Sequence, residues 1–256
     1  MTRHVLITGA AGAMGSALAR AFRARHADAS LTLADIDLAG AEATARAAGG
    51  EAHAVRWDLT QPAAIPALLE DAVARRGPVD VLVNCAGVME VRTLAGTSWE
   101  TGARLLDIDL VSPLRLMSLV TPAMMARRSG AIINVSSMAG VVPLRGCTFY
   151  GAAKAGLAMA SEIARLELAP HGVAVLTVYP GPVRSALERR ARAQLPPALI
   201  ARALPTGDAE ALANRIVRAL AEGAPRVVYP PLYDVAQRAP RIAGWVTSLL
   251  SPIPND

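Results

Sequence analysis

Short apolar runs alternate along the chain with longer stretches in which apolar residues recur at helical spacing. Val5-Leu6-Ile7 is a β-branched and aliphatic run ending in Thr8-Gly9, after which glycines fall at 12 and 15 and a helical pattern runs to about His26. Leu31-Thr32-Leu33-Ala34 predicts a second strand stopped by Asp35, and Leu38 to Ala48 an alanine-rich helix closed by Gly49-Gly50. A third strand is expected from about Ala52 to Trp57, then a helix with Pro62 and Pro66 in its opening turns. Val79 to Val83 reads as a fourth strand running into Asn84-Cys85-Ala86-Gly87. The long helical stretch from about Ser98 to Arg128 is expected to kink at Pro113 and Pro122. Ala131 to Val135 and Val173 to Val178 are the fifth and sixth strands, with a helix between them from Tyr150 to about Ala169. A helix from about Asp208 to Glu222 leads to a short seventh strand, Val227-Val228-Tyr229.

Strands that are continuous apolar runs, each followed by a helix, predict a parallel sheet buried on both faces. The expected fold class is α/β, a doubly wound, mostly parallel seven-stranded sheet with helices on both faces. With no linker, repeat or low-complexity segment, residues 1–256 are expected to form a single domain, with 185–207 as a substrate loop and 230–256 as a C-terminal tail. Hydrophobic residues make up 53% against 18% charged, with only 2 phenylalanines, so the core must be aliphatic and a disordered chain is excluded. Two cysteines, Cys85 and Cys147, are too few for a disulfide framework or a four-ligand zinc site, and no metal is expected. A reducing, cytoplasmic compartment is the simplest expectation. The net charge of +5 is scattered, and the main basic cluster, Arg184, Arg189, Arg190 and Arg192, includes Glu188, so charge does not predict a nucleic-acid partner. No apolar run is expected to reach the roughly 18 residues of a membrane span. The N-terminal residues read better as strand, glycine turn and helix than as a signal peptide.

Thr8-Gly9-Ala10-Ala11-Gly12-Ala13-Met14-Gly15 joins the first strand to the first helix, where a glycine turn lets backbone approach a pyrophosphate at the helix N-terminus. A tight turn or close helix packing needs the same glycines. Asp35, 20 residues past Gly15, stands where an acid accepts hydrogen bonds from an adenosine ribose and repels a 2′-phosphate. Capping of the next helix is the competing role, which Asp37 could fill. NAD is therefore expected over NADP. Of the 26 basic residues the only lysine is Lys154, which suggests a site where a compact ammonium cannot be replaced by guanidinium.

Thr8-Gly9 with the glycine turn, Asn84-Cys85-Ala86-Gly87, Ser136-Ser137, Tyr150-Gly151-Ala152-Ala153-Lys154 and Pro180-Gly181-Pro182-Val183 together resemble the short-chain dehydrogenase/reductase family, of the single-domain classical type, over about residues 1–230. The resemblance implies a Rossmann-like fold and hydride transfer between NAD and an alcohol or ketone. It implies Tyr150 as the acid/base, Ser137 as the group holding substrate oxygen, and Lys154 as the ribose-binding group beside the tyrosine. It further implies cofactor contacts at Gly9, Ala13, Met14, Gly15, Asp35, Asp58, Leu59, Asn84, Ala86, Gly87, Pro180, Gly181 and Val183, besides Tyr150 and Lys154. Physical chemistry agrees: Tyr150 and Lys154, four apart, share a helix face, and an adjacent ammonium favours the phenolate of a tyrosine whose pKa is ordinarily ~10. Ser136 competes with Ser137, but neighbours in a strand point to opposite sides.

Two positions depart from the family. Ala13 replaces a usual glycine, leaving glycines at 9, 12 and 15 as in the larger, extended members. Asp109, in Leu106-Asp107-Ile108-Asp109-Leu110, stands where the family places an active-site asparagine. An aspartate accepts hydrogen bonds but donates none unless protonated, and its charge near Lys154 would offset the support of the phenolate. Asp109 is thus expected to shape the pH profile, and a weakly active, NAD-binding regulatory protein is the competing reading.

Val88, Met89, Leu144, Arg145, Cys147 and the segment 185–204 are the expected substrate-facing residues, pointing to a hydrophobic alcohol or ketone. Arg145 could hold a carboxylate or sit in solvent, and Cys147 reads as packing because no histidine pairs with it. Tyr233 to Leu250 reads as a helix broken near Pro240 that could cover the pocket, join subunits or rest on a membrane surface. The small residues along the helix from Tyr150 predict a homodimer or homotetramer.

Overall fold

A computed structural model describes residues 3–194, 205–251 and 254. The strands are β1 (His4–Thr8), β2 (Ser30–Asp35), β3 (Ala52–Arg56), β4 (Val81–Asn84), β5 (Gly130–Val135), β6 (Val173–Pro180) and β7 (Arg226–Tyr229). They form one sheet in the order β3-β2-β1-β4-β5-β6-β7, and every neighbouring pair is parallel. The helices are α1 (Ala13–Arg25), α2 (Leu38–Ala48), α3 (Ile65–Arg76), α4 (Trp99–Leu106), α5 (Ser112–Ala126), α6 (Thr148–Leu168), α7 (Ala186–Ala193), α8 (Ala209–Ala221), α9 (Asp234–Arg238) and α10 (Pro240–Leu250). The doubly wound parallel sheet is the one the apolar runs predict.

Alternation along each strand feeds two apolar layers. Val5 and Ile7 pack with Leu18, Phe22 and Ile216 of α1 and α8 on one face. Leu6, Leu82 and Ile132 pack with Ile65, Leu116 and Met124 of α3 and α5 on the other. The strand order reverses between β1 and β4, so their C-terminal ends diverge into a crevice, the place where open α/β sheets bind ligands.

The long helix breaks where the prolines did not predict. Asp107–Val111 forms a π-helical turn between α4 and α5. Pro113 lies just past this turn and has no N–H to offer the Asp109 carbonyl within it, and α5 continues through Pro122. The wider turn carries Asp109 inward, fully buried. Another correction concerns length: Trp99–Ala126 makes a 28-residue helical run that is long and apolar enough to cross a membrane by length and composition alone. It packs against α3, α6 and β5. The expected substrate loop is also partly helical, since α7 occupies its first half, and residues 195–204 lie outside the described residues.

His4 anchors the far end of the sheet. Its Nδ1 lies 2.8 Å from the Gly77 carbonyl and its Nε2 2.9 Å from the Thr32 hydroxyl, so a neutral ring with Nδ1–H donating satisfies both partners. Burial pulls its pKa below 6.5, with the Arg76 charge adding to the effect and the Gly77 bond opposing it. A lowered folded pKa means that the unfolded chain binds the proton more readily. Stability should therefore hold above the unfolded value and fall as pH drops below it, with a slope of at most about 1.4 kcal/mol per pH unit. Urea unfolding at neutral and mildly acidic pH should show this loss, and His4→Gln should flatten it.

Candidate active site

The crevice begins at the glycine turn. Gly9 has φ +70°, and a Cβ there would lie 2.6 Å from Ala86 Cα, so a side chain would force β1 and β4 apart. A Cβ on Gly15 would lie 2.1 Å from the Gly9 carbonyl oxygen, which fixes α1 against the turn. Gly12 caps α1 with no side-chain hydrogen bond, and the first turn carries no acid, so no capping side chain answers the N–H groups there among the described residues. Such an end suits an anion. Thr8 ties the two strand ends together, its Oγ1 accepting from the N–H groups of Cys85 and Ala86, both at 3.2 Å.

Asp35 ends β2 beside this turn. Its Oδ2 accepts from Ala11 N–H at 2.9 Å and its Oδ1 from Asp37 N–H at 3.0 Å. It therefore holds the glycine turn as well as facing the crevice. Capping of α2 falls to Asp37, which accepts from Gly40 N–H. At the end of β3, Asp58 Oδ1 accepts from the Thr60 N–H and hydroxyl at 2.9 and 2.7 Å. The crevice is a cavity of about 860 Å³ that extends from these acids to α10.

At its centre β5 delivers two serines. Ser136 is buried and its hydroxyl donates to the Lys154 carbonyl at 2.7 Å. Ser137 lines the cavity, its Oγ accepting from Ala139 N–H at 3.1 Å, and it lies on the same cavity as Tyr150. Gly140 lets this turn lie on α6, since a Cβ there would come within 2.7 Å of Ala155 N. Tyr150 and Lys154 project from α6 into the same cavity, with Lys154 Nζ 5.8 Å from the centre of the Tyr150 ring.

Lys154 Nζ donates to the Val135 carbonyl at 3.1 Å and lies 2.9 Å from Asp109 Oδ1. The other carboxylate oxygen accepts from Val88 N–H at 3.2 Å. Both side chains of this ion pair are essentially inaccessible, at 4% and 0% exposure. Gly87 makes room for it, because a Cβ there would lie 2.8 Å from Asp109 Oδ1 and 3.3 Å from Lys154 Nζ.

The electrostatics follow from this geometry. Burial pushes the Tyr150 phenol above its usual value; the Lys154 ammonium opposes the shift, the Asp109 carboxylate adds to it, and the Ser137 hydroxyl opposes it. Burial alone would lower Lys154, but Asp109 and Tyr150 together outweigh it and hold the ammonium above its ordinary pKa. Burial raises Asp109 against the pull of Lys154. Cys147 is pushed up to about 11 by burial, so it is a packed thiol and not a nucleophile.

The sequence profile of the short chain dehydrogenases matches residues 3–196. The chain belongs to the short chain dehydrogenase family. Galactitol 2-dehydrogenase of Agrobacterium fabrum is 39% identical over 179 residues, covering 70% of this chain and 69% of the relative. The 3-oxoacyl-[acyl-carrier-protein] reductase of Escherichia coli is 34% identical over 184 residues, covering 72% and 75%. Among solved structures, a short-chain dehydrogenase from Sphingobium yanoikuyae in complex with NADPH superposes with a TM-score of 0.81 at 27% identity, covering 98% of this chain and 96% of the other. As a short chain dehydrogenase, this protein is an NAD(P)-linked oxidoreductase of small organic alcohols or ketones.

The cavity gathers nearly all of the expected residues of this short chain dehydrogenase. Gly9, Ala13, Met14, Gly15, Asp35, Asp58, Leu59, Ala86, Gly87, Pro180, Gly181 and Val183 line it, as do Val88, Met89, Leu144, Arg145 and Cys147. Three expectations need correction. Asn84 does not reach the cavity; its amide donates to Asn134 Oδ1 at 2.8 Å inside the sheet. Asp109 is not on the wall but behind it, paired with Lys154, and reaches the site through that pair and through its charge on Tyr150. Arg145 is exposed and lines the cavity, but its guanidinium is hydrogen-bonded to backbone carbonyls of the tail, a partner that neither the solvent nor the carboxylate reading supplied. Sequence reasoning missed Trp57, Ile108 and Val142 as lining residues, together with Ala243, Val246 and Thr247 of the tail. The helical pattern of the tail was visible, but nothing in it marked which face turns inward.

Proposed function

We propose that this short chain dehydrogenase is a single catalytic unit, residues 1–256, that oxidises and re-forms secondary alcohols with an apolar body, using NAD in preference to NADP. The observation that carries the reading is the convergence of Ser137, Tyr150 and Lys154 on one cavity that has Asp35 at its other end. The residues present fit a nicotinamide dinucleotide. The uncapped N-terminus of α1 at Gly12 suits the pyrophosphate, Asp35 the adenosine ribose, and Lys154 the second ribose. When bound, the cofactor supplies the hydride acceptor or donor. Ser137 holds the substrate oxygen, and Tyr150 takes the hydroxyl proton in oxidation and returns it in reduction. Lys154 stabilises the phenolate, and Asp109 positions Lys154.

The apolar walls formed by Val88, Met89, Val142, Leu144 and Val246 favour a hydrophobic substrate body. Two free thiols, Cys85 and Cys147, accord with a reducing cytoplasm. Exposed Met159, Ile163 and Leu166 on α6 suit pairing of two copies into a dimer or tetramer. The test is turnover of a panel of secondary alcohols with NAD, followed by reduced-nicotinamide absorbance. NAD binding without turnover of any of them would favour the regulatory reading.

Cofactor choice has its own test. Asp35, Asp37 and Asp58 place carboxyl groups at the adenosine end, where a 2′-phosphate would meet repulsion. NAD should bind at least about tenfold tighter than NADP, a gap of ~1.4 kcal/mol. Asp35→Ser should narrow that gap, although it also loses the bond to Ala11 that holds the turn. Titration calorimetry giving equal affinities in the unaltered protein would overturn the assignment.

A further inference from the structure

The segment between β5 and α6 carries Tyr150 at one end and meets the tail at its middle. Arg145 N–H donates to Ser251 Oγ at 3.0 Å. Its guanidinium forks across the C-terminal end of α10, Nη1 donating to the Ser251 carbonyl and Nη2 to the Ser248 carbonyl, each at 2.9 Å. The last carbonyls of a helix have no partner within it and carry the negative end of its dipole, so a planar cation with two parallel donors fits this end twice over. Next to it, Gly146 takes φ +79°, and a Cβ there would fall 2.4 Å from Pro254 Cγ, so the chain beyond α10 lies directly on this glycine. The inner side of α10 presents Ala243, Val246 and Thr247 to the cavity.

We propose that Arg145 is a positioning residue that latches α10 across the outer end of the cavity, and that the wall so formed selects alcohols by the length of their apolar body. This rests on the dehydrogenase reading for the substrate, while the latch rests on the Arg145 geometry alone. The family match stops at residue 196, so it assigns nothing to α10. Leu144, Ala243 and Val246 give this end of the cavity apolar walls, so the distal part of the substrate is apolar. Secondary alcohols bearing an alkyl or alicyclic chain meet that description, and hydroxy acids do not.

The test uses the full-length chain, its Arg145→Met and Arg145→Lys variants, and a homologous series of straight-chain secondary alkanols with NAD. Amide hydrogen exchange across residues 240–251 should rise about fivefold in Arg145→Met, the size expected for losing solvent-exposed charge-assisted hydrogen bonds. Arg145→Lys should fall between, since one ammonium cannot span both carbonyls. In Arg145→Met, KM should rise with alkanol length, reaching about fivefold for the longest members, while NAD affinity stays unchanged. Unaltered exchange in α10 would overturn the latch. Faster exchange with an unchanged dependence of KM on length would overturn the selection. Failure of the unaltered protein to oxidise any alkanol would contradict the substrate class, and the exchange result would still decide the latch.

Discussion

Tyr150→Phe should lower turnover by about a thousandfold or more, within the range that a positioned acid/base contributes, and leave NAD affinity nearly unchanged. The substitution removes one oxygen from a ring that is 8% exposed and packed with Val91, Cys147 and Ala191, so the apolar contacts survive. What disappears is the hydroxyl that shares the cavity with Ser137 and whose ionised form the Lys154 ammonium favours. Single-turnover absorbance with any substrate found in the panel measures the effect. Retention of most activity would mean that another group carries the proton. Among the described residues, Cys147 is held as a thiol by burial, its pKa pushed up to about 11, and Asp109 lies behind the wall.

Lys154→Met should cost about 3 kcal/mol or more of stability, because removing one partner of a buried ion pair strands the other charge. Asp109 has 0% exposure and, among the described residues, only the Val88 N–H at 3.2 Å answers it apart from Lys154. The double variant Asp109→Leu with Lys154→Met should regain most of the loss, since no charge is left behind. In the single variant the stranded carboxyl binds its proton more tightly in the folded than in the unfolded chain. The destabilisation should therefore shrink as pH falls. Urea unfolding of the single and double variants checks this, and equal losses in both would show that the pair is not coupled.

The sheet was legible because its central strands are buried on both faces and so are written as unbroken apolar runs, Val81-Leu82-Val83 and Ile132-Ile133 among them, whereas the edge strand β3 carries exposed His53 and Arg56. Lys154 stood out by composition, and its spacing from Tyr150 placed both on one helix face. The π-turn was not legible. It carries Asp109 to Lys154, 45 residues away in sequence, and Pro113, just past the turn, has no N–H to offer the Asp109 carbonyl, whereas Pro122 sits inside α5 without ending it. The place of the Asn84 side chain was not legible for a related reason: its partner, Asn134, comes from the neighbouring strand, and only the β4–β5 register brings the two together. Arg145 was ambiguous because a carboxylate, solvent and helix carbonyls all accept the same donors, and only the returning tail decides among them.

The ionisation of Tyr150 is set by two opposed charges, Lys154 lowering its pKa and Asp109 raising it, against a rise from burial. Alcohol oxidation requires the phenolate, so its kcat/KM should climb with pH until the tyrosine is ionised. Replacing the carboxylate by an isosteric amide removes the charge that raises the phenol and leaves Lys154 in place. The most direct measurement is the pH dependence of kcat/KM for alcohol oxidation in the unaltered protein and in Asp109→Asn. The climbing limb should move about one pH unit lower in Asp109→Asn, a change of ~1.4 kcal/mol in phenolate stability. An unmoved limb, or one displaced to higher pH, would contradict the control of Tyr150 by the buried Asp109–Lys154 pair.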